Sequence, residues 1–119
     1  MKLILIILVA IVALEHIYFL ILEMFFWTKP KGLKTFGLKK EEAENSKVLA
    51  ANQGLYNGFL AAGLIWGLIS DQINVIIFFL TCVAIAGLYG TYSTKKSKLF
   101  MVQSIPAIIA LLFIFTILL

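Results

Sequence analysis

No arginine occurs anywhere in the sequence, and charged residues of all kinds make up only 13% of it. Without arginine's planar fork, and with so few charges, a nucleic-acid-binding surface is excluded. Cysteine is represented by Cys82 alone, so neither an internal disulfide nor a cysteine metal cluster can form, and Cys82 reads as packing. There is one histidine, His16, and no cysteine near it, which leaves a poor ligand set for a metal or haem even with Glu15 and Glu23 at hand. No cofactor is expected. Nothing resembles a glycine-rich phosphate loop, and too little chain lies outside the apolar runs to build a soluble domain.

What the sequence has in abundance is hydrophobic residues, 62% of its 119 positions. Mean hydropathy is +1.05, far above the soluble norm, which assigns the chain to a bilayer as a multi-pass cell-membrane protein. Four apolar stretches stand out, at 3–27, 48–69, 73–92 and 99–119. As helices they would span about 30 to 37 Å, enough to cross a hydrocarbon core of about 30 Å. The expectation is an all-α, up-down bundle of four transmembrane helices forming one domain over 1–119, with loops at 28–47 and 93–98. Lys2 ahead of the first run also suits a signal peptide, but the run continues a dozen residues past Ala13 without a small-residue cleavage site, so a retained helix is expected.

Lysine placement orients the bundle. Lys29, Lys31, Lys34, Lys39, Lys40 and Lys47 lie between the first and second runs, and Lys95, Lys96 and Lys98 between the third and fourth. Lys2 alone lies on the other side, with Asp71 of the SDQIN turn. Nine against one puts both lysine loops in the cytoplasm and both termini outside, with the basic charge held against anionic lipid. Within LKKEEAENSKVLAANQ, Lys40 and Glu44 stand at i, i+4, so a solvated extension of the second helix is expected there.

Orientation allows the buried polar residues to be ranked by depth. Counting from the midpoint of the first run puts Glu15 and His16 at the bilayer centre and Glu23 about 12 Å toward the cytoplasm. The second run, centred near Gly58, brings Tyr56 and Asn57 level with Glu15, and puts Asn52 and Gln53 about 8 to 9 Å further in. Tyr89 and Gln103 fall about 9 to 10 Å inside on the third and fourth helices. The outer half carries little that is polar beyond Trp66 and Thr116. This pattern predicts a pocket in the cytoplasmic half, floored by Glu15 and His16, and sealed outside.

Each candidate has a plainer reading. Asn, Gln and Tyr in a bundle serve as interhelical glue, which suits Tyr89 and Gln103. Glu23 can snorkel toward water, and Trp27 reads as an interfacial anchor. Gly54xxxGly58, Gly63xxxGly67 and Ala86xxxGly90 read as packing stripes, while Pro106 would free a carbonyl and kink the fourth helix. Glu15 and His16 are different, since an ionisable group at mid-membrane is expensive and marks a functional site by default. They face different sides of one helix, so their partners must come from Asn52, Gln53, Tyr56 and Asn57.

EHIYFLILEMFFW, NQGLYNGFLAAGLIWGL, AGLYGTY and QSIPAIIALL together resemble the small four-helix membrane proteins catalogued as domain of unknown function 1304. Asn52, Gln53, Gly54, Tyr56, Asn57 and Gly58 carry the resemblance most specifically, and it extends over nearly the whole chain. It implies the fold and no activity. Small multidrug exporters share the chain length and a mid-helix glutamate, but they work as antiparallel pairs with weak lysine bias, unlike this chain.

Three functions fit these residues. The first is a pocket that binds or carries a small organic or amphipathic ligand, with Glu15 and His16 exchanging protons as it binds. The second is a membrane-embedded acid-base enzyme acting on a lipid-like substrate, with Glu15 and His16 as acid and base and Asn57 or Tyr56 as hydrogen-bond donor. The third is a structural or assembly role, in which the polar layer only fixes helix register. The expected partners are the bilayer, a small-molecule or lipid-like ligand, and a second copy of the chain in a homo-oligomer.

Overall fold

The computed structural model describes residues 2–119. They form five helices, α1 (Lys2–Phe25), α2 (Pro30–Phe36), α3 (Lys40–Ile69), α4 (Ile73–Thr94) and α5 (Ser97–Leu118), with no strand among the described residues. Helices α1, α4 and α5 are long and apolar enough to cross a membrane. Helix α3 is longer, but charged residues fill its first turns and Asn52, Gln53 and Asn57 dilute its middle.

Two expected boundaries need correction. The loop expected over 28–47 contains α2 and the first turns of α3. Pro30 opens α2, where its fixed φ suits a first helical position, and Gly37 closes it at φ 62°, its N–H donating to the Leu33 carbonyl. Helix α3 then starts at Lys40, ahead of the apolar run at Val48 and in line with the extension expected over LKKEEAENSK, with Glu41 and Glu42 in its first turn, where carboxylates favour the positive end of the helix dipole. Glu44 is held by Lys47 at 3.3 Å, not by Lys40 as the spacing suggested. The loop expected over 93–98 shrinks to Lys95, at φ 61°, and Lys96.

Hydroxyls inside the apolar helices are satisfied locally. Thr81, Thr91 and Thr94 donate to the carbonyls of Ile77, Gly87 and Gly90, one turn back in each case. Helix α5 continues through Pro106, which deprives the Val102 carbonyl of its usual donor.

The chain divides into two units. One comprises the described residues through Glu15 together with Leu60–Leu119. Its core is aliphatic: Val9, Val12 and Ala13 from α1, Leu64 from α3, Leu80 and Val83 from α4, and Ala107, Ala110 and Ile114 from α5. Small residues let α4 and α5 approach closely, since a side chain on Gly87 would meet the Phe100 carbonyl at 2.8 Å as well as Ser104. Ala86, expected on this stripe, is exposed instead, and Gly87 and Gly90 are buried. Lys2 Nζ and Asp71 Oδ2 meet at 3.1 Å, so the start of α1 and the α3–α4 turn share one end.

The other unit is His16–Phe59. Here the second half of α1 runs against α3, and Gly54 and Gly58 mark the approach: added methyl groups would lie 2.7 Å from Met24 and 2.6 Å from Leu20. Phe36 of α2 stacks between Trp27 and Phe19, with ring centroids 4.8 and 6.4 Å away. The short helix is thereby folded back onto the end of α1.

Candidate functional site

An open cleft of about 390 Å³ lies in the His16–Phe59 unit, where the end of α1 faces the early turns of α3. Glu23, Phe25 and Trp27 line one wall, and Lys47, Val48 and Asn52 the other. The helical spacing explains the second wall: 47, 48, 51 and 52 share one face of α3. That face exists only because α3 begins at Lys40.

Glu23 is the chemically significant member. Its side chain is only 7% exposed, and Asn57 Nδ2, itself buried, donates a hydrogen bond to Glu23 Oε1. Among the described residues Asn57 is the sole hydrogen-bond partner of Glu23. A carboxyl group so deeply placed, with one donor and an open space beside it, can accept a proton or a cationic group. Trp27 is fixed by a relay in which its Nε1 donates to Ser46 Oγ at 3.1 Å and that hydroxyl donates to the Glu42 carbonyl at 2.7 Å. The indole is therefore a fixed wall, in addition to any anchoring at an interface. Lys47 stands at the rim, tied only to the exposed Glu44.

The other expected site residues are distributed differently. His16 is fully buried, its ring edge-on to Phe19 at 6.1 Å. Glu15, the preceding residue, is half-buried, and its Oε1 is enclosed without a hydrogen-bond partner among the described residues. Asn52 and Gln53 are exposed, as is Tyr56, beside Phe59. Tyr89 and Gln103 belong to the other unit: Tyr89 is exposed beside Tyr92, and Gln103 is buried next in sequence to Ser104. Among the expected site residues, Asn57 makes its side-chain hydrogen bond across helices to Glu23, two turns along α1 from the Glu15 level that depth counting gave for Asn57. No group of three or more His, Cys, Asp or Glu side chains placed to hold a metal ion occurs among the described residues.

Lys47 and Ser46 were not anticipated as site residues. The signal was present, since the helical extension expected over these residues puts Ser46, Ala50 and Asn57 on one stripe, but the extension reads as solvated and gives no reason to place Ser46 or Lys47 beside α1.

Comparison with known proteins agrees with the motifs. The family described as "Protein of unknown function (DUF1304)" matches residues 10–115. The uncharacterized protein YpaA of Lactococcus lactis subsp. lactis (strain IL1403) is 36% identical over 116 residues, covering 94% of this chain and 97% of that protein. No solved structure matches. With nearly the whole chain covered by the family and by a relative of the same length, this protein belongs to the DUF1304 family of proteins of unknown function.

Proposed function

We propose that the chain is one integral membrane domain of four crossing helices, α1, α3, α4 and α5, with both termini outside, that binds or carries a small organic or amphipathic ligand. Support for the crossings comes from three long apolar helices, from the glycine pairs of α3 that approach their neighbours closely, and from the nine-to-one lysine bias. On this orientation the cleft opens at the cytoplasmic end of α1, at headgroup depth, where a ligand can enter from water or from the inner leaflet.

The observation that carries the reading is Glu23, a residue 7% exposed whose carboxylate stands in the wall of an open cleft with a fixed indole in the same wall. A merely snorkelling glutamate would extend into water. Asn57 and Asn52 add amide groups, and Met24, Phe25 and Val48 add apolar surface for a chain or ring. Glu15 and His16, eight and seven residues earlier on the same helix, act in this reading as the groups that exchange protons when the ligand binds.

Trp27 and Trp66 are the two tryptophans, so Trp66→Phe leaves an emission signal specific to the cleft. In that background a brominated single-chain amphiphile should quench Trp27 saturably, and Glu23→Leu should make the quenching linear. The saturation midpoint should depend on pH, and Glu15→Gln should alter that dependence. Unchanged affinity in Glu23→Leu would reduce the Glu23–Asn57 contact to interhelical glue. An unchanged pH profile in Glu15→Gln would remove the proton coupling and leave the binding site.

A further inference from the structure

The same cleft carries a constraint on what occupies it. Glu23 and Lys47 both line it, yet they form no ion pair with each other; Lys47 pairs with Glu44 and Glu23 accepts from Asn57. Glu23 is buried whereas Lys47 is more than half exposed at the rim, and a buried carboxylate left without a cationic partner is costly. Here the backbone holds them on separate walls, α1 and α3. We infer that the ligand of this cleft is a zwitterionic amphiphile, whose ammonium group lies against Glu23 and whose phosphate or carboxylate group lies against Lys47. This rests on the ligand-binding reading above and specifies its chemical class.

Each wall contributes to the choice. Glu23 is 7% exposed as a residue, and its second carboxyl oxygen takes no hydrogen bond among the described residues, so it can take an ammonium N–H. Trp27, fixed through Ser46, offers the face or edge of an aromatic ring near the same place, and an ammonium group is drawn to such a face. At the rim, the Lys47–Glu44 contact is an exposed i, i+3 pair, weak enough to yield to an anion. A purely anionic ligand would leave Glu23 opposed, and a purely cationic one would have to pass Lys47. Met24, Phe25 and Val48 supply the apolar surface that a bare soluble zwitterion would not use. At about 390 Å³ the cleft is near the small end of ligand pockets, about 300 to 1,000 Å³, so it suits a headgroup whose chain continues outside.

The test uses full-length protein carrying Trp66→Phe in a non-ionic detergent, with Trp27 emission as readout. Four probes are titrated: lysophosphatidylethanolamine, lysophosphatidylglycerol, dodecylamine, and phosphoethanolamine without a chain. Lysophosphatidylethanolamine should saturate, and the anionic and cationic amphiphiles should each bind about tenfold weaker or worse. Glu23→Gln keeps an oxygen for Asn57 and so preserves the fold. It should cost lysophosphatidylethanolamine about tenfold in affinity while sparing lysophosphatidylglycerol. Lys47→Gln should weaken lysophosphatidylethanolamine and spare dodecylamine. Phosphoethanolamine should fail to compete, because the apolar wall selects a chain; competition at the affinity of lysophosphatidylethanolamine would overturn the amphiphile and leave a soluble zwitterion. Equal affinity for lysophosphatidylglycerol or dodecylamine would overturn the zwitterion and leave the cleft as a binding site. Absence of saturable change with every probe would remove the binding reading itself.

Discussion

Ser104 and Glu23 are both buried polar side chains on apolar helices, one in each unit, and they end up with opposite surroundings. Ser104 is fully buried and donates to the Ala84 carbonyl at 3.1 Å, in a seam so tight that Gly87 and Gly90 leave no room for a Cβ. Glu23 is nearly as deep, but it sits in the wall of an open cleft with one amide as its partner. Depth therefore does not distinguish these two polar groups; adjacent space does. In the α4–α5 seam the polar group completes a contact, while in the α1–α3 cleft it leaves capacity for another.

The sharpest way to break the contrast is to open the seam. Gly87→Leu should destabilise by about 3 kcal/mol, because its side chain meets the Phe100 backbone carbonyl, which cannot rotate away. Detergent-titrated unfolding in mixed micelles measures it. A variant of wild-type stability would mean the two helices part easily, and the seam would then be no tighter than the cleft.

Next in size is the polar contact in the cleft unit. Asn57→Leu removes the donor from a buried carboxyl group and should cost about 1 to 2 kcal/mol in the same unfolding assay. Glu23→Gln, which can still accept from Asn57, should change stability by less than about 0.5 kcal/mol. Finding the two variants equally destabilised would show that the charge of Glu23, not its hydrogen bond, supports the fold.

These residues also mark how far the sequence could be read. Long apolar helices follow from composition alone, as α1, α4 and α5 bear out, because nothing but a helix satisfies its own backbone over such a run. Helix α2 was not legible as a helix: seven residues carry no usable hydrophobic period, and only the Pro30 and Gly37 punctuation frames it. The pairing of polar residues between α1 and α3 was blurred in position. Glu23 and Asn57 were both candidates, but aligning the midpoints of apolar runs placed Asn57 with Glu15. In the structure Gly54 against Met24 and Gly58 against Leu20 set the register instead. Hydropathy reports which residues prefer lipid, whereas close-packed glycines decide which residues meet, and the two differ here by about 12 Å along α1.

Ser104→Ala is the smaller test on the other side of the comparison. It removes the hydroxyl bonded to the Ala84 carbonyl, and buried hydrogen bonds between membrane helices average about 0.6 kcal/mol. A loss near that value in the unfolding assay would fit a seam held mainly by shape. A loss above about 2 kcal/mol would make the hydroxyl, rather than the glycines, the principal fastening.

The smallest effect belongs to the more exposed of the two ion pairs among the described residues. Lys2 and Asp71 meet at 3.1 Å with side chains 71% and 76% exposed, where water and salt screen the pair and two mobile side chains must be ordered to make it. Lys2→Ala should therefore shift unfolding by no more than about 0.5 kcal/mol, and raising ionic strength should shrink even that difference. Its value lies in topology, because a contact with little energy still needs its two ends within reach. An engineered Lys2→Cys, Asp71→Cys pair should be bridged by a short bis-maleimide, whose reach replaces that of the lysine side chain, with Cys82 first replaced by Ala, and should be bridged without loss of stability. Failure to crosslink would separate the start of α1 from the α3–α4 turn and unsettle the aliphatic core that Val9 and Val12 share with Leu64.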